Sequence, residues 1–412
     1  MRLLKSAFFC LAGGLVAFAA TPATPVLAAD HVIIIGAAVS FTGRYAVNGK
    51  HTKNGYDLAV EKVNSMGGVN VGGTSYMLEI KYYDDESTAA RGTQLVERLI
   101  QQDGVKLMLG PYSSGMTKAM APVAEKYKIP MVEANGASRS LFNQGYRYLF
   151  AVLSTSEQYL KSAIDLAAEQ AKMDGRDPSS LKVAIGVRNE PFALDIRAGV
   201  LEDAARYNMT VVVDEKLPKE VSDMTTFLTK VKALKPDILA VSAHTVGGAL
   251  FVRQMREQHL NVPMVAMTHC ESAKVTNVEE FGNAGEGILC AAQWSEKLAY
   301  QDDWLGTAAE YAKTFEDTYG YVPPYQAAES SAAVLVYADA IARAGSLDTE
   351  AIRDALAATD MQTFYGNVKF APTGQNIAKP MVLRQIQGGE YKLVAPLAWA
   401  DSKLVFPRNV AY

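Results

Sequence analysis

Gly110-Pro111-Tyr112-Ser113-Ser114-Gly115 sets two hydroxyls between a turn and an amphipathic stretch. A serine nucleophile of the Gly-x-Ser-x-Gly elbow type needs that spacing and a base beside it, and this run does not have the spacing. The histidines, His31, His51, His244, His259 and His269, are scattered without His-x-x-x-His or another metal-ligand spacing. His269 and Cys270 are adjacent, so in a continuing strand they point to opposite faces, a poor nucleophile–base pair. Gly67 to Gly73 is glycine-rich but no Lys-Ser/Thr follows, so it reads as a turn and not a phosphate cradle. Catalysis, a metal and a cofactor are therefore not expected. Recognition chemistry remains. Ser113 and Ser114 offer hydroxyls, and the helix expected from Thr117 offers amide groups without intrahelical partners, a setting that favours a carboxylate. The same serines also suit helix capping.

The elements that must position these groups alternate. Strands are expected at His31 to Val39, Met77 to Tyr83, Val105 to Leu109 and Pro130 to Glu133. Helices are expected between them at Gly49 to Asn64, Thr88 to Gln102 and Thr117 to Tyr127. The pattern restarts after an extended Tyr148 to Leu153. A helix from Glu157 to Met173 leads to strands at Leu181 to Val187, Val211 to Val213, Asp237 to Val241 and Pro263 to Met267. Helices Asp303 to Tyr319, Gln326 to Ala344 and Thr349 to Ala357 follow, then strands at Gly366 to Phe370 and Met381 to Gln387. Two β-α arrays imply an α/β protein of two doubly wound, Rossmann-like lobes. The expected lobes are 30–150 with 293–370, and 151–292 with 371–412, joined by a multi-strand hinge with a ligand cleft between them. Ligand contacts belong on loops beyond the carboxyl ends of the strands: 40–48, 112–117 and 134–140 in the first lobe.

With 412 residues, 49% hydrophobic and 20% charged, the chain is long enough for two cores. A net charge of -4 argues against nucleic acid as a partner. Arg2 and Lys5, an apolar run from Ala7 to Ala20 and small residues up to Ala29 read as a signal peptide over 1–29. Cys10 lies inside the apolar run, so a lipid anchor is not expected. Cys270 and Cys290 fit either a bridge in an exported protein or two small buried thiols.

Ser40-Phe41-Thr42-Gly43-Arg44-Tyr45-Ala46 with Gly49, Asn64-Ser65-Met66-Gly67-Gly68-Val69-Asn70, Tyr83-Asp84-Asp85-Glu86-Ser87 and Gly110-Pro111-Tyr112-Ser113-Ser114 stand in fixed order. Together with Lys128-Ile129-Pro130 they resemble the type I periplasmic solute-binding proteins, in their leucine/isoleucine/valine-binding branch, over roughly residues 31 to 400. The resemblance implies a Venus-flytrap fold with three interlobe crossovers. It implies a monomeric periplasmic receptor that hands a small amino acid, a carboxylate (aromatic ones included) or an amide to the membrane permease of an ABC importer. A ligand sensor of the same fold is the alternative.

Carried over residue by residue, Ser114, beside Ser113, falls where a hydroxyl meets the ligand carboxylate. Asn135, Gly136, Ala137 and Ser138 fall where backbone groups and a threonine do the same. Tyr45 lies on the first loop, and Asn48 stands where an aromatic is common. Phe192 and His244 replace second-lobe aromatics, and Tyr325 replaces a wall residue. The partner of a ligand ammonium belongs between Thr268 and Glu271; Glu271 fits that role or that of a solvated carboxylate. His244 fits a contact or a satisfied structural histidine. Arg44 and Arg139, on mouth loops, fit a bidentate pairing with a carboxylate or, preferred here, a solvated side chain.

Overall fold

The computed structural model describes residues 31–412, so the expected signal peptide lies outside the described residues. The first sheet contains β1 (Val32–Val39), β2 (Val69–Val71), β3 (Thr74–Asp84), β4 (Leu107–Leu109), β5 (Met131–Glu133) and β6 (Leu149–Ala151). Its order is β2-β3-β1-β4-β5-β6, parallel except for the β2–β3 hairpin. β1 reads Val-Ile-Ile-Ile-Gly-Ala-Ala-Val, the near-continuous apolar run of a strand covered on both faces. Helices α1 (Ala46–Ser65), α2 (Ala89–Gln101) and α3 (Ser114–Tyr127) cross between its strands.

The second sheet is built from β7 (Lys182–Arg188), β8 (Thr210–Leu217), β9 (Ile238–Ser242), β10 (Met264–Thr268) and β11 (Leu289–Ala292). Its helices are α4 (Lys161–Met173), α5 (Pro191–Arg206), α6 (Thr225–Leu234), α7 (His244–Glu257) and the short α8 (Val278–Phe281). Two small hairpins, β12 (Gln301–Asp302) with β13 (Gly306–Thr307) and β14 (Asp360–Thr363) with β15 (Gly366–Lys369), flank α9 (Ala308–Tyr319), α10 (Tyr325–Ala344) and α11 (Thr349–Ala357). The buried α10 packs along α1 against the first sheet. β16 (Val382–Gln387) and β17 (Glu390–Ala395) return to the second sheet, ordered β17-β16-β11-β10-β9-β7-β8.

The chain thus passes between the sheets three times: after β6, after β11 and before β16. Buried polar groups stitch the three passages together. Gln293 Nε2 donates to Ser154 O at 2.8 Å and its Oε1 accepts from Ser154 N at 3.1 Å. Ser154 Oγ donates to Lys379 O at 2.7 Å. Lys379 in turn donates its ammonium to Gln293 O. Fully paired groups of this kind rigidify the strips about which two lobes turn.

Several element boundaries differ from the sequence expectation. α3 begins at Ser114 and not Thr117, because Ser113 takes φ 97° and turns the chain into the helix early. β2 was expected as a turn and pairs with β3 instead. β17 follows the Gly388-Gly389 turn, which hid the hairpin on the sheet edge. Cys270 and Cys290 form a disulfide, linking the segment after β10 to β11. Among the described residues no helix is long and apolar enough to cross a membrane.

Candidate functional site

Among the non-glycine residues that hold left-handed backbone just beyond strand ends are Ser113 after β4 (φ 97°), His244 after β9 (φ 54°) and His269 after β10 (φ 64°). Such conformations are costly and concentrate where side chains must be aimed. Close backbone approach fixes the neighbouring loops. A Cβ on Gly49 would sit 1.8 Å from Ser40 O, and one on Gly110 would sit 2.1 Å from Glu133 Oε2.

The strand ends of the two sheets meet in one buried hydrogen-bonded chain. Tyr112, from the first sheet's side, has its hydroxyl 3.2 Å from His244 Nδ1 and 2.9 Å from His269 Nε2. His244 Nε2 lies 3.1 Å from Glu190 Oε1, and His269 Nδ1 lies 3.0 Å from Thr268 Oγ1. One proton ordering serves the group: His269 Nε2–H donates to the Tyr112 oxygen, Tyr112 O–H donates to His244 Nδ1, and His244 Nε2–H donates to Glu190. Burial pushes both imidazoles down, which keeps them neutral; for His244 it outweighs the pull of the Glu190 carboxylate. Burial opposes ionisation of Glu190 too, but His244, the Ala193 amide and Arg188 hold its carboxyl below the ordinary value. Glu190 also caps α5, accepting from Phe192 N and Ala193 N.

Rings pack around this chain. Tyr45 stands 5.4 Å from Tyr112 and 5.7 Å from His244, centroid to centroid. Phe192 lies 5.4 Å from His244 and 5.1 Å from Tyr159, which faces Tyr325 at 6.5 Å. Arg188 donates to Tyr45 Oη at 2.9 Å. Asn48 Oδ1 accepts from Thr245 Oγ1 at 2.8 Å. The expected residues Tyr45, Asn48, Phe192, His244 and Tyr325 are thus drawn into one cleft.

The first-lobe loops are internally bonded. Glu133 Oε1 accepts from Asn135 N at 2.6 Å and Gly136 N at 2.7 Å, and its Oε2 accepts from Thr117 Oγ1 at 2.8 Å. Ser114 Oγ accepts from Ser138 N at 2.9 Å, and Ser138 Oγ donates across the cleft to Asp195 of α5. Ala137 is buried between them. Where the resemblance places backbone contacts to a ligand carboxylate, the amides of 135 and 136 are held by a buried carboxylate and that of 138 by a hydroxyl. Neither serine caps α3 through its side chain. Ser113 Oγ, Asn135 Oδ1 and both amide atoms of Gln326 are buried without a hydrogen-bond partner among the described residues.

Glu271 stands elsewhere. It is ion-paired with Arg384 of β16, in a pocket shared with Lys274, Glu296 and Tyr391. A ligand ammonium would therefore meet a carboxylate that already has its cation. Arg139 pairs with Glu202 at 2.9 Å and Arg44 with Glu220, so neither is simply solvated. Tyr112 and His269 fall in segments expected to meet the ligand (112–117 and 268–271), whereas Tyr159, Arg188, Glu190 and Gln326 were not foreseen. The signal for two of them was present: Arg188 and Glu190 follow the apolar Val-Ala-Ile-Gly-Val of β7, where charge at a strand end must find a partner.

The family model described as periplasmic binding protein matches residues 32–390. The chain belongs to that family. It is a family of non-enzymatic solute-binding proteins, and the chain's resemblance to the leucine/isoleucine/valine-binding branch is borne out. A Leu/Ile/Val-binding protein homolog 8 of Brucella suis is 27% identical over 243 residues, which span 59% of this chain and 58% of that protein. A homolog 7 of Brucella abortus is 21% identical over 386 residues, 91% of this chain and 94% of that one. The substrate-binding protein LivJ of Streptococcus pneumoniae, solved in complex with isoleucine, superposes with a TM-score of 0.75 at 21% identity, covering 89% of this chain and 100% of its own. A solute-binding protein of an ABC transporter from R. palustris, solved in complex with benzoate, gives 0.75 at 20% identity, covering 92% and 100%. These likenesses give the two-lobed fold.

Proposed function

We propose that the protein is the extracytoplasmic receptor of an ABC importer, exported by its first 29 residues and working as a monomer with a membrane permease. The lobes are taken as 30–150 with 293–370 and 151–292 with 371–412, closing on a small organic solute in the cleft. The observation that carries this reading is the meeting of Tyr112 with His244 and His269, strand-end residues of the two sheets joined through one hydroxyl. A cleft whose walls engage each other this directly is suited to enclosing a small molecule.

Amino acids, carboxylates and amides are the solute classes that fit a polar, ring-lined site. The pairing of Glu271 with Arg384 favours solutes without an ammonium group. A thermal-shift screen of leucine, isoleucine, 4-methylpentanoate, benzoate and short amides, with the hits titrated by calorimetry, tests this. Saturable one-to-one binding that leaves the solute chemically unchanged supports the receptor. Turnover of the bound compound contradicts the receptor reading, and a preference for leucine over its deaminated analogue contradicts only the preference against an ammonium group.

A further inference from the structure

A cavity of about 270 Å³ opens at the mouth of the cleft, bounded by Arg44, Tyr45, Asn48, Arg188, His244 and the first turn of α7. Three of these residues carry a buried nitrogen with no hydrogen-bond partner among the described residues: Arg44 Nε, Asn48 Nδ2 and Arg188 Nε. All three are donors. Arg188 is only 5% exposed. Its described contact is the one to the Tyr45 hydroxyl, and no carboxylate stands at ion-pair distance from it among the described residues. Glu190, two residues on, is already engaged by His244 and the amides of Phe192 and Ala193. Glu220, on the cavity wall, is paired with Arg44, and Lys219 adds a further cation. The first turn of α7, through Thr245 and Val246, presents amide groups that lack intrahelical partners.

Burying a guanidinium without an anion is unfavourable unless a ligand supplies one. The opposite wall offers no such place, because Glu133 already occupies the amides of Asn135 and Gly136 and would repel a second carboxylate. We propose that Arg188, Asn48 and the first turn of α7 form an anion subsite, and that the ligand is a small organic acid. Its carboxylate lies at Arg188 of the second lobe and not at the Ser114 loop. This deepens the solute-binding reading and rests on it.

The test is a titration of the full mature protein with two acids and two matched non-acids: benzoate against benzamide, and 4-methylpentanoate against 4-methylpentanamide. The acids are expected to bind at least about tenfold more tightly, the scale of one charge-assisted hydrogen bond. Arg188→Gln is expected to weaken both acids about ten- to a hundredfold and to erase the preference for benzoate over benzamide. It also removes a charge that helps hold the Glu190 carboxyl ionised, so the ligand-free protein should melt somewhat lower; the lost preference for acid over amide is the readout that a merely structural arginine would not move. Arg188→Lys should keep part of the preference, and Asn48→Ala should lose some of it. Ser114→Ala should weaken acid and amide by the same factor. The inference is overturned if Arg188→Gln keeps the acid preference, if Ser114→Ala abolishes it, or if the wild type binds neither acid. Should Arg188→Gln fail to fold, Arg188→Lys and Asn48→Ala decide by the same criterion. Whether the receptor reading falls too is read separately, from whether the protein purified from its own cell releases any small molecule on denaturation.

Discussion

Among the described residues Glu133 has no cation in contact, and it is held by two backbone amides and the Thr117 hydroxyl. Burial pushes its carboxyl up to about 7, against those hydrogen bonds. The folded state then holds this proton more tightly than the unfolded chain does. Its contribution is fully present below the ordinary value of 4.5 and is lost as pH rises through about 7. Asp85 and Asp203, pushed up to about 6 chiefly by burial, titrate in the same window. The difference between wild type and Glu133→Gln isolates the effect: the stability gap should shift steadily between pH 4.5 and 7 in urea titrations, and a flat gap would contradict it. Ser114 gives a second prediction. Its hydroxyl is the acceptor for Ser138 N, so Ser114→Ala should lower the stability of the ligand-free protein by about 1–3 kcal/mol, the cost of an unsatisfied buried amide. An unchanged urea midpoint would mean that the loop re-forms its bond elsewhere. Neither role was legible in the sequence. A strand-ending glutamate and a serine before a helix look the same whether they face a ligand or each other, because the choice is made by distances between segments far apart in the chain.

At the scale of elements more could be read. Apolar runs such as Val32–Val39 and Ile238–Ser242 announced buried parallel strands, and the helical spacing of Tyr56, Ala59 and Val63 announced α1. What periodicity did not reach were ends set by backbone conformation, such as the start of α3 at a left-handed Ser113, and strands too short or too late to show a pattern, such as β2 and β17. The disulfide likewise depended on a distance: Cys270 and Cys290 stand 5.8 Å apart at Cα, with a sequence separation of 20. It fastens the segment that carries His269 to β11. Replacing both cysteines by alanine should cost about 3 kcal/mol in stability, by the entropy released to a loop of this size. The urea midpoint should fall and its slope should rise, because the unfolded chain without the bridge exposes more surface. A midpoint that does not move would show that the packing around His269 holds the segment without the bridge.

For the whole molecule, the two sheets, the three passages between them and the closed cleft make one arrangement in which local contacts decide the lobe spacing. Tyr112 reaches both His244 and His269, so its hydroxyl ties the closed form together without any ligand. Tyr112→Phe should shift the ligand-free protein toward a more open form. Small-angle scattering should then give a larger radius of gyration than wild type, restored by a saturating solute; identical profiles would show that closure does not depend on this hydroxyl. The central claim is that this molecule captures a small solute and does nothing to it. Native mass spectrometry of the protein purified from its own cell tests that most directly. The account predicts a mass excess of one small organic molecule per chain, lost on denaturation and regained, chemically unchanged, when the refolded protein is mixed with the released compound. A chain with no excess mass that also fails to take up any member of a broad solute library, or a released compound that the protein transforms, would contradict it.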